Sequence, residues 1–145
     1  MMFQLSVDDR ISSWANLRGS LAQDPDPLTR VAEFWSAAPY VPYNRNIDPF
    51  DPRRWPTPWE IIADNQYDDF TKAVMIGWTL KYSDLYRSAC VEIRTMVDKL
   101  NNNQYNLVCI DDHWIVNYTD NKIITTTEIP ETFYLENLIE LKIPR

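Results

Sequence analysis

The chain has 145 residues and a formal net charge of −7, with 45% hydrophobic and 24% charged residues. Its length suits one domain with a sizeable core, and its composition excludes disorder along the whole chain. The acidic charge argues against a nucleic-acid partner, because neutralising phosphates requires clustered Lys and Arg. No apolar run reaches the roughly 18 residues of a membrane span, so we also expect no membrane partner.

Glycine and cysteine are both scarce, with two residues of each. Gly19 and Gly77 stand far apart, so no glycine-rich phosphate loop can form, and we expect no cofactor. Cys90 and Cys109 lie in apolar, strand-like runs, which predicts two reduced residues of the core. The acidic start of the chain is unlike a signal peptide, so we expect synthesis in a reducing cytosol.

The N-terminal part of the chain predicts two helices. A weaker pattern covers residues 7–17. Asp26 and Pro27 then mark a clear helix start, because Asp caps the free amides and Pro needs no hydrogen-bond partner at the first helical position. The apolar face of this second helix repeats at helical spacing, before Pro39 ends it, and consists of Leu28, Val31, Ala32 and Trp35.

Residues 39–55 form an arm rich in proline and aromatic residues. Its prolines block both a helix and a central strand, yet its large apolar side chains would lose free energy if they stayed in water. The arm must therefore lie on a surface, either that of its own domain or that of a neighbouring subunit. The residues we expect to bind a partner are its aromatic side chains Tyr40, Tyr43, Phe50 and Trp55.

The remainder, residues 57–145, predicts a compact α+β body after an N-terminal helical and extended region, residues 1–56. Thr57 to Glu60 form a capping box that begins a short helix. The next helix, from about Asp69 to Tyr82, is apolar on nearly every side and therefore buried, and Gly77 indicates close approach of another backbone. Alternating patterns predict an antiparallel β-meander packed on this helix, with strands near 91–97, 105–110, 114–118, 123–127 and 139–143.

Two groups of side chains could carry chemistry, and each has a simpler interpretation. His113 with Asp111 and Asp112 could bind a metal ion, but such a sequence is typical of a solvated hairpin tip. The carboxylates Asp64, Asp68 and Asp69 could act as acid and base or bind a cation, but Asp is common at helix starts.

A thiol with His113 is the third candidate. Cys109 lies four residues before His113 on the same predicted hairpin, and Cys90 is the alternative. Burial in a strand raises the pKa of a thiol, which disfavours both. We therefore predict no catalytic residue, no metal site and a protein that is not an enzyme.

The layout of residues 58–127 resembles the papain-like transglutaminase core, in which a buried helix precedes an antiparallel meander. The matching elements are the helix Phe70–Leu80, the strand Tyr105–Ile110 and the segment Trp114–Asn117. The resemblance implies a Cys near Asp68, Asp69 or Phe70, a His on the strand Tyr105–Ile110 and an Asp at Asn117. None of these residue types stands there, so the resemblance implies a degenerate, catalytically inactive core that serves as a scaffold.

The whole chain also resembles small structural virion proteins of contractile-tailed bacteriophages. The residues behind this resemblance are the segments Ala38–Tyr43, Trp55–Glu60 and Asn106–Val108, the last leading to Val116–Asn117. It implies a subunit of a tail, baseplate or neck, made in the host cytoplasm and located in the virion. Its partners would be other virion structural proteins in a large assembly.

Two functions therefore remain open. The leading hypothesis is a structural protein that binds neighbouring subunits through its aromatic arm. The alternative is a small Cys-dependent or metal-dependent hydrolase of the papain or transglutaminase type.

Overall fold

A computed structural model describes residues 2–119 and 122–144 of the chain. Within them, four α-helices come first: α1 (Val7–Ser20), α2 (Pro27–Ser36), α3 (Pro58–Asp64) and α4 (Asp69–Lys81). Five β-strands follow: β1 (Val91–Asp98), β2 (Gln104–Ile110), β3 (Trp114–Tyr118), β4 (Lys122–Thr125) and β5 (Phe133–Leu141). The predicted α+β class is confirmed, and short 3-10 turns lie at Met2–Gln4, Leu21–Gln23, Pro52–Arg54 and Thr126–Glu128.

The helix starts are those that the caps predict. The Asp26 side chain accepts a hydrogen bond from the Thr29 backbone N–H at the start of α2. Thr57 and Glu60 form the reciprocal capping box of α3, since each side chain binds the other residue's backbone N–H. These local hydrogen bonds satisfy amides that the first turn of a helix leaves unpaired.

The strands form one antiparallel sheet in the order β4-β3-β2-β1-β5. Strands β1 to β4 are the predicted meander, whereas β5 pairs with β1 at the far edge and begins at Phe133, well before the predicted start at Ile139. The connection from β4 to β5 therefore crosses the sheet. Ile129 in this connection packs on the cluster that fills one face, Leu107, Cys109, Ile115 and Ile124.

The other face of the sheet packs on α4. A Cβ atom added to Gly77 would collide with the Leu141 side chain and lie 3.3 Å from Ile93 Cδ1. Glycine thus brings the helix close to the sheet, and the neighbours are side chains of β1 and β5, not the backbone that we predicted.

One hydrophobic core extends across residues 1–56 and 57–145. It joins Trp14, Leu17 and Trp35, all of them buried, to Ile62 and Ile76. The boundary at residue 56 stays a prediction as a limit of independent folding.

The inward side chains of the arm pack against its own domain. Ile47 is 2% exposed and belongs to the core. The backbones of Tyr40 and Tyr67 form a parallel bridge, and the Asn44 side chain donates a hydrogen bond to the Gln66 carbonyl at 3.0 Å. The arm therefore has a fixed path, with Tyr40, Tyr43 and Phe50 directed outward.

Candidate functional site

The start of α4 is held by a buried carboxylate. Asp68 is 8% exposed, and its Oδ1 accepts hydrogen bonds from the Thr71 backbone N–H at 2.7 Å and the Thr71 hydroxyl at 2.6 Å. Its Oδ2 accepts another from the Asn44 backbone N–H at 2.9 Å. With both oxygens engaged, Asp68 stabilises the helix start and fixes the arm beside it.

Asp69, the next residue, contacts the sheet. Its Oδ2 accepts a hydrogen bond from Asn106 Nδ2 on β2 at 2.9 Å, and Asn106 Oδ1 accepts one from the Thr95 hydroxyl on β1 at 2.9 Å. Thr95 and Asn106 are paired in register, so these bonds connect the helix start to two strands. The Asp69 side chain is exposed and retains capacity to accept a hydrogen bond from a bound molecule.

Asn137 on β5 extends this set of side chains to a third strand. It is paired with Thr95 and donates a hydrogen bond to the Pro49 carbonyl of the arm at 3.2 Å. We call Asp69, Asn106, Thr95 and Asn137 the polar row. Its carboxylate, hydroxyl and amide groups are donors and acceptors of the kind that recognise polypeptide backbone.

The strand residues of the polar row were not predicted from the sequence, although a signal was present. Side chains alternate between the two faces of a strand, so every second residue lies on the same face. By this alternation the face that packs on α4 carries Asn106, Thr95 and Asn137 together with apolar residues of their strands. Those apolar neighbours belong to the main core, Val108, Ile110, Val91, Ile93 and Leu141, or pack against it, Ile139. A polar residue among the apolar residues of the same face, on three strands, indicates a site where these three strands lie side by side.

Asn117 on β3 serves the sheet itself. Its Oδ1 accepts a hydrogen bond from the Val108 backbone N–H at 2.7 Å, and its Nδ2 donates one to the Asn106 carbonyl at 2.8 Å. The backbone pairing of β2 with β3 reaches only as far as Ile115, so this amide extends the connection between the two strands.

The transglutaminase resemblance implies a nucleophile, a His and an acid at this place. The structure brings Asp69 and Asn106 into contact there, and Asn117 binds the Asn106 backbone. The three side chains named here are thus one carboxylate and two amides. His113 and both cysteines lie elsewhere.

The four predicted partner-binding aromatics fall into two groups. Tyr40, Tyr43 and Phe50 are 66%, 72% and 72% exposed. Trp55 is half-buried, because its ring packs edge-on against Phe70 with 5.7 Å between centroids. Its Nε1 also donates a hydrogen bond to the Asp48 carbonyl at 2.6 Å. Partner binding by these residues stays a prediction, and Trp55 has a role within its own chain.

His113 lies with Asp111 and Asp112 in the exposed turn between β2 and β3. The Asp111 carboxylate accepts a hydrogen bond from the Cys90 backbone N–H, and the Asp112 carboxylate accepts one from the Arg94 guanidinium, both at 2.9 Å. The His113 ring packs against its neighbour Trp114, with 4.6 Å between centroids.

No group of three or more His, Cys, Asp or Glu residues is placed to hold a metal ion within residues 2–119 and 122–144.

Asp64 is exposed and lines a surface cavity of about 540 Å³ together with Asn44, Asn46 and Arg54. In the same described part of the chain, no helix has the length and apolar character to cross a membrane.

The surroundings of both thiols disfavour the reactive form. Cys109 is fully buried, and burial raises its pKa to about 11. Cys90 is half-buried before β1, and its pKa is raised by burial and by the nearby carboxylates of Glu92, Glu140 and Asp111. Because the thiolate is the nucleophile, both are weak nucleophiles at neutral pH.

Comparison with known proteins shows the fold. No family model and no curated protein sequence matches the chain. Among solved structures, calcium-bound LapG of Legionella pneumophila is similar, with 20% identity and a TM-score of 0.66 over 91% of this chain and 75% of LapG. A second LapG structure from the same organism has 19% identity and a TM-score of 0.64 over 89% and 73% of the two chains.

These neighbours confirm a transglutaminase-like fold and extend the likeness beyond residues 58–127. They also correct one prediction. We expected a protein that is not an enzyme, and the fold that the chain shares with the cysteine protease LapG overturns that expectation. The comparisons give no link to a phage virion, and a virion location stays a prediction.

Proposed function

We propose that this chain binds other proteins through the outward side chains of its arm. The observation that carries the proposal is the exposure of Tyr40, Tyr43 and Phe50, which are 66–72% exposed. Large aromatic side chains are enriched among the residues that dominate protein interfaces, because they bury much area at little entropic cost.

The arm is already ordered before a partner arrives. Backbone hydrogen bonds join Val41 to the Tyr67 carbonyl and Tyr67 to the Pro39 carbonyl, both at 3.1 Å. Asn44 is bound to Asp68, and Ile47 is buried in the core. A segment fixed in this way loses little conformational entropy on binding, which favours affinity. Subunits of a larger particle are the partners that we propose.

We expect the triple variant Tyr40→Ser/Tyr43→Ser/Phe50→Ser to lose binding while it keeps its fold. These side chains contribute to binding and little to the core, so the melting temperature should change by only a few degrees. The measurement is selection of binders from a displayed random-peptide library, followed by the affinity of each binder for parent and variant. A matched control replaces three other exposed apolar residues, Leu85, Leu100 and Trp114, by Ser.

Peptides that lose at least tenfold in affinity for the arm variant, but not for the control, would support the proposal. Equal affinity for the parent and both variants would contradict it.

A second candidate is hydrolysis of a peptide bond by a thiol, and the observation that favours it is the fold shared with the protease LapG. Cys90 is the more accessible thiol, since Cys109 is fully buried. A hydrolase that uses Cys90 would need a conformation in which burial and the nearby carboxylates no longer raise the pKa of this thiol.

Both thiols are expected to react slowly with a thiol-directed reagent at neutral pH. A raised pKa leaves less thiolate at a given pH, so the labelling rate of Cys90 should rise steeply as the pH increases through the alkaline range. Labelling kinetics of the Cys109→Ser variant between pH 6 and 10 isolate Cys90. Fast labelling at neutral pH that depends on His113 would contradict this expectation and favour the hydrolase.

A further inference from the structure

We propose that a surface groove beside α4 binds an extended, acidic polypeptide segment that carries apolar side chains. The groove has a volume of about 680 Å³ and lies between residues 52–59 and the chain from Ile139 to Pro144. Its apolar lining includes Trp55, Trp59, Trp78, Tyr82 and Ile143. It does not include the outward aromatic residues of the arm or any member of the polar row.

The groove is lined by several aromatic rings. Trp59 is 37% exposed, and its ring contacts the Tyr82 ring edge-on with 5.2 Å between centroids. Tyr82 in turn contacts Trp78 at 5.6 Å, so three rings form a continuous apolar floor. Aromatic-lined grooves of this kind bind extended polypeptide, in which alternate side chains can face the rings.

The charge around the groove identifies the partner. The groove and the cavity of about 570 Å³ that adjoins it are lined by the cations Arg53, Lys81, Arg87 and Lys142, and by the single carboxylate Glu140. Arg87 is paired with Asp84 at 3.9 Å, so three cations that form no ion pair among the described residues face one carboxylate here, on a chain whose net charge is −7. Within the described residues, neither Arg53 nor Lys142 forms an ion pair, so both can pair with carboxylates of a ligand.

The test uses a ten-residue peptide in which Glu alternates with Leu and Pro, and the same peptide with Lys in place of Glu. Three of the six tryptophans line the groove, so intrinsic fluorescence reports occupancy directly. We expect the acidic peptide to quench or shift this fluorescence and to bind at least tenfold more tightly than the Lys peptide. Raising the salt from low to molar concentration should weaken binding of the acidic peptide, because exposed charges are screened.

Two variants of equal charge separate a local effect from a general one. Arg53→Glu/Lys142→Glu should weaken binding of the acidic peptide at least tenfold. Arg30→Glu/Lys122→Glu, whose changes lie outside the groove, should weaken it less than threefold. The triple arm variant should bind the acidic peptide like the parent, so failure of this proposal and failure of the proposed function are distinguishable.

Three results would overturn the proposal. The first is equal or undetectable binding of the two peptides, and the second is an equal loss in both charge-reversal variants. The third is concentration-dependent self-association of the parent that Arg53→Glu/Lys142→Glu abolishes, because the groove would then hold a second copy of the chain.

Discussion

Deletion of residues 1–56 is expected to unfold the rest of the chain. The deletion removes buried apolar side chains from the shared core, among them Trp14, Leu17, Val31, Trp35 and Ile47. At roughly 1.5–3 kcal/mol for each buried side chain, the loss is on the order of 10 kcal/mol, which is comparable to the whole stability of a domain. Circular dichroism and two-dimensional NMR of the fragment 57–145 provide the measurement.

The sequence favours the opposite result, a folded fragment 57–145, because the Thr57 capping box begins a helix at the start of that fragment. A matched control is a chain cut after Arg45, within the arm, while both pieces remain present. The cut leaves every core residue in place, so the nicked protein should stay folded. A fragment 57–145 with a cooperative thermal transition and dispersed NMR signals would contradict our expectation and show that it folds without residues 1–56.

Local signals in the sequence predicted the helices accurately. The starts of α2 and α3 follow from Asp26 with Pro27 and from Thr57 with Glu60, because these hydrogen bonds join residues three apart. The end of α4 at Lys81 is likewise within one residue of the prediction. Caps and helical periodicity act over a few residues, so a sequence displays them directly.

Features that depend on distant contacts were harder to predict. The exposed start of β5 shows little alternation, since Tyr134, Leu135 and Leu138 are all at least 41% exposed, and its pairing with β1 is not a local property. The Asn106–Asp69 hydrogen bond joins residues that are 37 apart in sequence. Only the phase of polar residues within each strand could have indicated the polar row.

The path of the arm likewise could not be predicted from the sequence. Its composition predicted contact with a surface, but it left open which surface. The structure separates the side chains by direction, with Asn44 and Ile47 inward and Tyr40, Tyr43 and Phe50 outward. The irregular backbone of a Pro-rich segment has no fixed period, so the sequence alone does not show which side chains face the core.

The core of the molecule contains a hydrogen-bonded hydroxyl that two tryptophans share. Thr79 on α4 is completely buried, and its Oγ1 accepts hydrogen bonds from the indole N–H groups of Trp14 and Trp35, both at 2.9 Å. The same hydroxyl donates a hydrogen bond to the Met75 carbonyl at 2.6 Å. One side chain therefore satisfies donors from α1 and α2 and fixes both helices on α4.

The variant Thr79→Val is therefore expected to lose a large part of the stability of the protein. Valine has nearly the same shape but no acceptor, so both indole N–H groups stay buried without a partner. Each unsatisfied group costs about 1–3 kcal/mol, which predicts a loss of about 2–6 kcal/mol in the free energy of unfolding, measured by urea titration.

Thr79→Ser keeps the hydroxyl and should lose only about 1 kcal/mol, for one methyl group. Adding Trp35→Phe to Thr79→Val removes one of the two indole N–H groups that lack an acceptor. The double variant should therefore lose less stability than the sum of the losses in the two single variants. Equal stability of the Val and Ser variants would show that the shared hydroxyl contributes nothing to the fold.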